Sequence, residues 1–199
     1  MSKSAKTPIL LPGIRNITIS GRIGTGKSTL AEHLAQSLGW SVLDGGKIFR
    51  KIAINLGINI IEKTKIPDML DIEFEEKVKD MLTHERNHVV QSHLAGFVAQ
   101  GINGVYKILV VCENDKGEDK PSIRIDRLMN RDLISAEDAK YELHKREEEH
   151  LEKFRRLYAD DNPNWVYWDR KFYDLVVNTF SLNQEEAVDF VLEQLQVRV

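Results

Sequence analysis

The chain has 199 residues, 42% of them hydrophobic and 30% charged, the proportions of one folded globular domain, which excludes wholesale disorder and fibrous architecture. A formal charge of −3 supplies no global basic field, so wrapping nucleic acid is excluded as the main task and any anion site must be local. The single cysteine, Cys112, follows Val110 and Val111 and reads as a buried strand thiol, and no apolar run approaches the roughly 18 residues that span a bilayer; together these predict a cytoplasmic protein in a reducing compartment with no membrane partner.

Residues 1–13 carry Ser, Lys, Thr and two prolines and read as a flexible leader, with order beginning near Ile14 and one domain over 14–199. Residues 16–20 alternate and are β-branched, 21–26 are glycine-rich, and 27–38 place Leu30, Ala31, Leu34, Ala35 and Leu38 at helical spacing, which predicts strand, loop and helix. Gly39 caps that helix, 40–43 form a second strand, and a helical stretch follows Gly46. Between 66 and 87, charges interleave with Met69, Leu70, Phe74, Val78, Met81 and Leu82 as on a surface helix. Strands are expected at 89–92, 106–112 and 173–178. A short arginine-rich helix at 123–132 precedes a long charged one at 135–158. A last helix bearing Ala187, Val188, Val191, Leu192 and Leu195 starts from Ser181 with Gln184 or from Asn183 with Glu186. Strands alternating with helices imply a parallel sheet of about five strands with helices on both faces, an α/β fold.

Gly21-Arg22-Ile23-Gly24-Thr25-Gly26-Lys27-Ser28 satisfies G-x-x-x-x-G-K-[ST] between a strand and a helix, the context in which that pattern is a P-loop. Its glycines let backbone N–H groups from Gly21 to Thr29 converge on a polyphosphate at a helix N-terminus. Lys27 neutralises the β and γ phosphates, and the Ser28 hydroxyl ligates Mg²⁺. The dinucleotide fingerprint G-x-G-x-x-G is not matched, which excludes a nicotinamide enzyme. Downstream, Leu43-Asp44-Gly45-Gly46-Lys47-Ile48-Phe49-Arg50 turns a loop into a helix with Arg50 one turn in, where a guanidinium can hold a second phosphate. Arg124, Arg127 and Arg131 are three and four residues apart and share a helix face. Cations closing on a loose phosphoryl transition state would screen its charge. Glu147 to Glu152, by contrast, read as a solvated helix face.

His84-Glu85-Arg86-Asn87-His88 matches H-E-x-x-H, but Val89 and Val90 follow as strand residues. His88 is therefore expected past the helix end, and with no third ligand at metzincin spacing a zinc hydrolase is disfavoured.

The chain resembles the nucleoside monophosphate kinases, and within them the cytidylate kinase family. The resemblance runs from about Ile14 to the C-terminus. It rests on Ile17-Thr18-Ile19-Ser20-Gly21 before the P-loop, Leu43-Asp44 with Gly46 and Ile48-Phe49-Arg50, Leu94-Ala95-Gly96-Phe97, the three arginines, Arg146-Glu147-Glu148 and Tyr173-Asp174-Leu175-Val176-Val177-Asn178-Thr179. It implies a P-loop NTPase fold with a helical acceptor-binding segment at about 45–87 and an arginine-rich helical lid at about 121–158. It also implies transfer of the γ-phosphoryl of Mg-ATP to a pyrimidine monophosphate, CMP foremost. On this reading Arg50, with Asp44 and Gly46, holds the acceptor, and Arg127, Arg124, Arg131 and Arg146 close over the moving phosphoryl group. The implied partners are small nucleotides, and the implied assembly is a monomer or weak homo-oligomer. The chain departs from the family at Gln91-Ser92-His93, where a carboxylate and then Gly-Arg are usual, and at residues 113–120, an insertion read as a solvated loop. His93 becomes a pH-dependent stand-in for the acceptor arginine. A nucleotide-binding switch without turnover, and a kinase for another small acceptor, are the alternatives.

Overall fold

The computed structural model describes residues 7–58 and 66–197. Five parallel strands, β1 (Asn16–Gly21), β2 (Ser41–Asp44), β3 (His88–Gln91), β4 (Val105–Val111) and β5 (Leu175–Asn178), lie in the order β2-β3-β1-β4-β5. The register pairs Ile19 with Gln91 and with Ile108, and Asp44 with Gln91. The strands therefore end together, and the loops leaving Gly21, Asp44, Gln91, Val111 and Asn178 gather at one edge, where open parallel sheets bind ligands.

Alternation divides the core between the two faces of the sheet. Ile17, Ile19, Val89, Ile108 and Val110 pack against Leu30, Leu34 and Leu38 of α1 (Lys27–Leu38) and Val188, Val191 and Leu192 of α7 (Gln184–Gln194). Val90 and Val105 face the other way, against Phe74, Val78 and Leu82 of α3 (Asp68–His84) and Ala95 of α4 (Ala95–Val98). Asn183, not Ser181, caps α7, in a reciprocal capping box with Glu186. Helix α4, at four residues, was too short to show periodicity in the sequence.

Two helices stand over the strand ends: α5 (Pro121–Asp132) and α6 (Ala136–Tyr158). They form a hairpin through Leu133, whose φ is 52°, and pack Leu128, Ala139 and Leu143 on Ile23 of the P-loop. The 45–87 segment contributes α2 (Gly45–Asn55) and α3. Its residues 59–65 lie outside the described residues, as do 1–6 of the leader. The rest of the leader departs from the expected looseness: Ile9 N–H donates to Leu38 O at 2.8 Å, Trp40 Nε1 donates to Ile9 O at 2.9 Å, and Leu11 is buried. No helix among the described residues is long and apolar enough to cross a membrane. Cys112 is buried at the end of β4, as its apolar neighbours implied.

Candidate functional site

A cavity of about 590 Å³ runs along the strand ends, from the P-loop and the start of α7 to the wall formed by α2, α3 and α6. Helix α1 opens it. Gly26 sits at the N-cap in the left-handed region (φ 98°), and no side chain caps the helix. Ile23, Gly24, Gly26, Lys27, Ser28 and Thr29 line the cavity, whereas Gly21 and Thr25 turn inward. At Gly21 a Cβ would lie 2.3 Å from Val110 O, so only glycine fits. Uncapped first-turn amides beside a lysine suit a polyphosphate. For Mg²⁺, the Ser28 hydroxyl lines the cavity with Gln91, whose buried Oε1 has no hydrogen-bond partner. Neutral oxygens of this kind suit an ion that keeps most of its water and takes phosphate oxygens.

Lys27 Nζ donates to Arg22 O at 2.7 Å. Burial, reinforced by Arg124 and Arg131, pushes its ammonium down to about 7. Arg146 is likewise held below its ordinary range by burial, with Arg131 and Arg50 adding repulsion and Glu142, 2.6 Å from its Nη1, opposing. Lys27, Arg50, Arg131 and Arg146 thus share one cavity, and their mutual repulsion is what bound phosphates would relieve. Arg127 joins them from α5, donating to Thr179 Oγ1 at 2.8 Å and Thr179 O at 2.7 Å, while Thr179 Oγ1 donates to Thr25 O at 2.7 Å. The loop after β5 is thereby fastened to the P-loop.

Besides Thr25, three of the predicted side chains stand apart from the lining. Asp44 caps α2, accepting from Lys47 N–H at 2.9 Å; beside it Gly46 lines the cavity, and a Cβ there would come within 3.6 Å of Arg50 Nη1. Arg124 is fully buried outside the cavity. Its Nε donates to Ile23 O at 2.7 Å, its Nη1 to Asp119 at 2.6 Å, and its Nη2 to Glu147. With these nitrogens engaged it cannot reach a transferring phosphoryl group. Arg22 also turns away, with Nε 2.7 Å from Glu147 Oε1, a further contact to Asp119 at 3.1 Å, and its guanidinium over the Trp168 ring at 4.9 Å.

One expectation from the sequence is corrected here. Glu147 is buried, accepts from Ile23 N–H at 3.2 Å and pairs with both Arg22 and Arg124, so this part of α6 is no solvated face. The 113–120 insertion is exposed over 115–118, as expected of a solvated loop, and Asn114 Oδ1 closes its turn by accepting from Lys116 and Glu118 N–H, while Asp119 joins the same cluster.

His93 lines the cavity, and its surroundings in the ligand-free protein oppose the expected titrating cation. Burial, then the charges of Lys27, His150 and Arg146, hold it well below its ordinary range. It lies 3.1 Å from Gly21 O. Because a carbonyl only accepts, Nδ1 carries the proton and Nε2 is left as an acceptor, which gives a phosphate nothing to bind. The H-E-x-x-H segment breaks as expected. His84 ends α3, Glu85 is extended, Asn87 has φ 66° and His88 begins β3. No group of three or more His, Cys, Asp or Glu among the described residues is disposed to hold a metal.

Residues the sequence did not single out complete the lining. Asp71 and Glu75 of α3 and His150, Lys153 and Phe154 of α6 form the cavity wall beside α2. Lys153 Nζ donates to Ile66 O at 2.7 Å and Asp71 Oδ2 at 2.5 Å.

Residues 16–181 match the cytidylate kinase-like family. A cytidylate kinase of Ignicoccus hospitalis is 32% identical over 90% of this chain and 98% of its own, and one of Saccharolobus islandicus is 30% identical over 91% and 90%. Among solved structures, a gluconokinase from Sinorhizobium meliloti shares the fold at a TM-score of 0.54 and 16% identity, covering 94% of this chain and 93% of that one. With its P-loop, its parallel sheet and its cation-lined cavity, the chain belongs to the cytidylate kinase-like family of ATP-dependent nucleoside monophosphate kinases.

Proposed function

We propose that the chain transfers the γ-phosphoryl group of Mg-ATP to CMP, giving ADP and CDP. The observation that carries this reading is the single cavity in which uncapped P-loop amides and four cations, Lys27, Arg50, Arg131 and Arg146, face a second, acid-containing wall. Two phosphorylated ligands thus have their phosphates meeting in the middle. The P-loop amides and Lys27 hold the donor phosphates, and Arg50 on α2 holds the acceptor phosphate. An oxygen of that phosphate attacks the γ-phosphorus in line while the bond to the bridging oxygen of ADP breaks. The acceptor is already an anion, so no side chain need remove a proton, and positioning is the main contribution. The Ser28 hydroxyl would hold Mg²⁺, which would help neutralise charge on the donor phosphates. Arg127, Arg131 and Arg146 spread the remaining charge as a lid. Arg124 acts as a positioning residue by holding the lid base to Ile23 and Glu147.

The test is ADP release with CMP, UMP, dCMP, AMP and GMP in turn. CMP is expected to give the highest kcat/KM. A preference for a non-nucleotide acceptor would overturn the reading, and tight ATP-analogue binding without turnover on any acceptor would replace it with a nucleotide-binding switch in which Gln91 has removed catalysis.

A further inference from the structure

At the acceptor-side wall, α3 points two carboxyl groups toward the cavity, and they are not equivalent. Asp71 is taken by Lys153, 2.5 Å away. Glu75 is only 9% exposed, lines the cavity, and its Oε2 has no hydrogen-bond partner. A buried polar atom left open toward a cavity is unfavourable unless something arrives to bond it. The phosphates belong with the cations Lys27, Arg50, Arg131 and Arg146, so the part of the acceptor that reaches an acid wall is its base.

We propose that Glu75 reads the base of the acceptor nucleotide, pairing its carboxyl group with a base edge that offers one donor beside one acceptor, such as the N4 amine and N3 of cytosine. The proposal rests on the kinase reading above and deepens it. The groups facing Glu75 favour a neutral acid. Asp71 and Asp68 lie on its own helix, and Asp71 repels its charge; Tyr158 of α6 feels its charge, while Lys153 and His150 of α6 and Arg50 of α2 line the same cavity. The Lys153 ammonium is committed to Asp71 and Ile66 O, with Asp68 at 3.4 Å. Burial, reinforced by Asp71, raises the Glu75 carboxyl to about 8.

An undissociated carboxyl presents an O–H donor beside a carbonyl acceptor. Cytosine complements it, and so do the corresponding edges of uracil and adenine. Guanine can offer a mixed pair too, O6 beside N1–H, but it alone among these bases also presents two adjacent donors, N1–H and the N2 amine, which suit an ionised carboxylate. Glu75 therefore pairs with mixed edges below its titration, and above it the balance moves from cytosine toward guanine. A Gln amide carries the same donor and acceptor pair at every pH.

The experiment is calorimetric titration of CMP and GMP at pH 6.5, 7.5 and 9 into wild type, Glu75→Gln and Glu75→Leu, with a nonhydrolysable ATP analogue reporting that each variant is folded. Wild type is expected to bind CMP about tenfold more weakly at pH 9 than at 6.5 relative to Glu75→Gln. That comparison removes the titrations of Lys27 and of the phosphate, which both proteins share. GMP should gain on CMP over the same range in wild type alone, and Glu75→Leu should bind CMP at least about tenfold more weakly at pH 6.5. Parallel CMP profiles in wild type and Glu75→Gln, or undiminished binding by Glu75→Leu, would overturn the role of Glu75 while leaving the kinase reading intact. A wild type that binds the ATP analogue but no nucleoside monophosphate at any pH would overturn both.

Discussion

Lys27 sits where its charge is least welcome in the absence of ligand. The sign of the linkage follows from its position: the folded state holds the ammonium at about 7, whereas the unfolded chain keeps it near 10.5. The unfolded state therefore binds more protons between these values. The contribution of Lys27 opposes folding fully below pH 7 and is relieved as pH rises toward 10.5. Lys27→Met is accordingly expected to raise the stability of the ligand-free protein by about 2–4 kcal/mol near pH 6, with the gain shrinking by pH 10, as read by denaturant melts. Turnover should fall by at least about 10²-fold. An unchanged or lowered stability at pH 6 would contradict the electrostatic account. Polyphosphate reverses the bias, because anions beside the ammonium favour its charged form. At pH 8, ATP binding to wild type should therefore take up close to one proton, measured by calorimetry in buffers of differing ionisation enthalpy. Lys27→Met should take up none.

Among the elements, α6 departs furthest from its sequence pattern. The strands were legible because β-branched runs end at glycine or polar residues, and α1 because its leucines recur at 30, 34 and 38. In α6 the buried stripe passes through Ala139, Leu143, Glu147 and Phe154, at spacings of four, four and seven. Glu147 interrupts an apolar stripe, and that interruption was a readable signal, hidden by Glu148 and Glu149 beside it. Arg22, Asp119 and Arg124, which make a buried Glu147 tolerable, are far away in sequence, so local pattern could not identify them. The surroundings of His93 were hidden for the same reason: His150, Phe154 and Tyr167, which pack around the ring, are distant in sequence. Removing one partner from a buried ion cluster leaves the others uncompensated. Glu147→Ala should cost about 3–5 kcal/mol in chemical denaturation and weaken ATP binding through the displaced P-loop. The double variant Glu147→Leu with Arg124→Met should cost clearly less than the sum of its single changes. Additive losses would show that the two side chains act independently.

On the scale of the whole molecule, α6 is a strut between the two halves of the cavity. At Glu147 it holds the P-loop; one turn on, His150 lines the cavity; at Lys153 it grips Ile66 O and Asp71, and at Arg156 it reaches Asp68 at 2.6 Å. The P-loop wall and the α3 wall thus share one element, and on the proposed function these are the donor and acceptor sides. A donor that orders the P-loop end should make the α3 end cheaper to order, which is positive coupling between the sites. The exposed pair Arg156–Asp68 contributes little to such a link, whereas buried Lys153 carries it. Lys153→Met is therefore the discriminating change. In wild type the ATP analogue should tighten CMP binding by about 5- to 10-fold, and CMP should tighten analogue binding by the same factor, since linkage is reciprocal. In Lys153→Met the factor should fall toward one, while the affinity for the analogue alone stays within about twofold, because no P-loop contact has been touched. Asp71→Asn should behave in the same direction with a smaller effect, as Lys153 keeps its bond to Ile66 O. A coupling factor that survives in Lys153→Met would move the link elsewhere, to the Arg131 and Arg146 cations that both phosphates approach. A factor of one in wild type would mean that the two walls respond independently despite the strut.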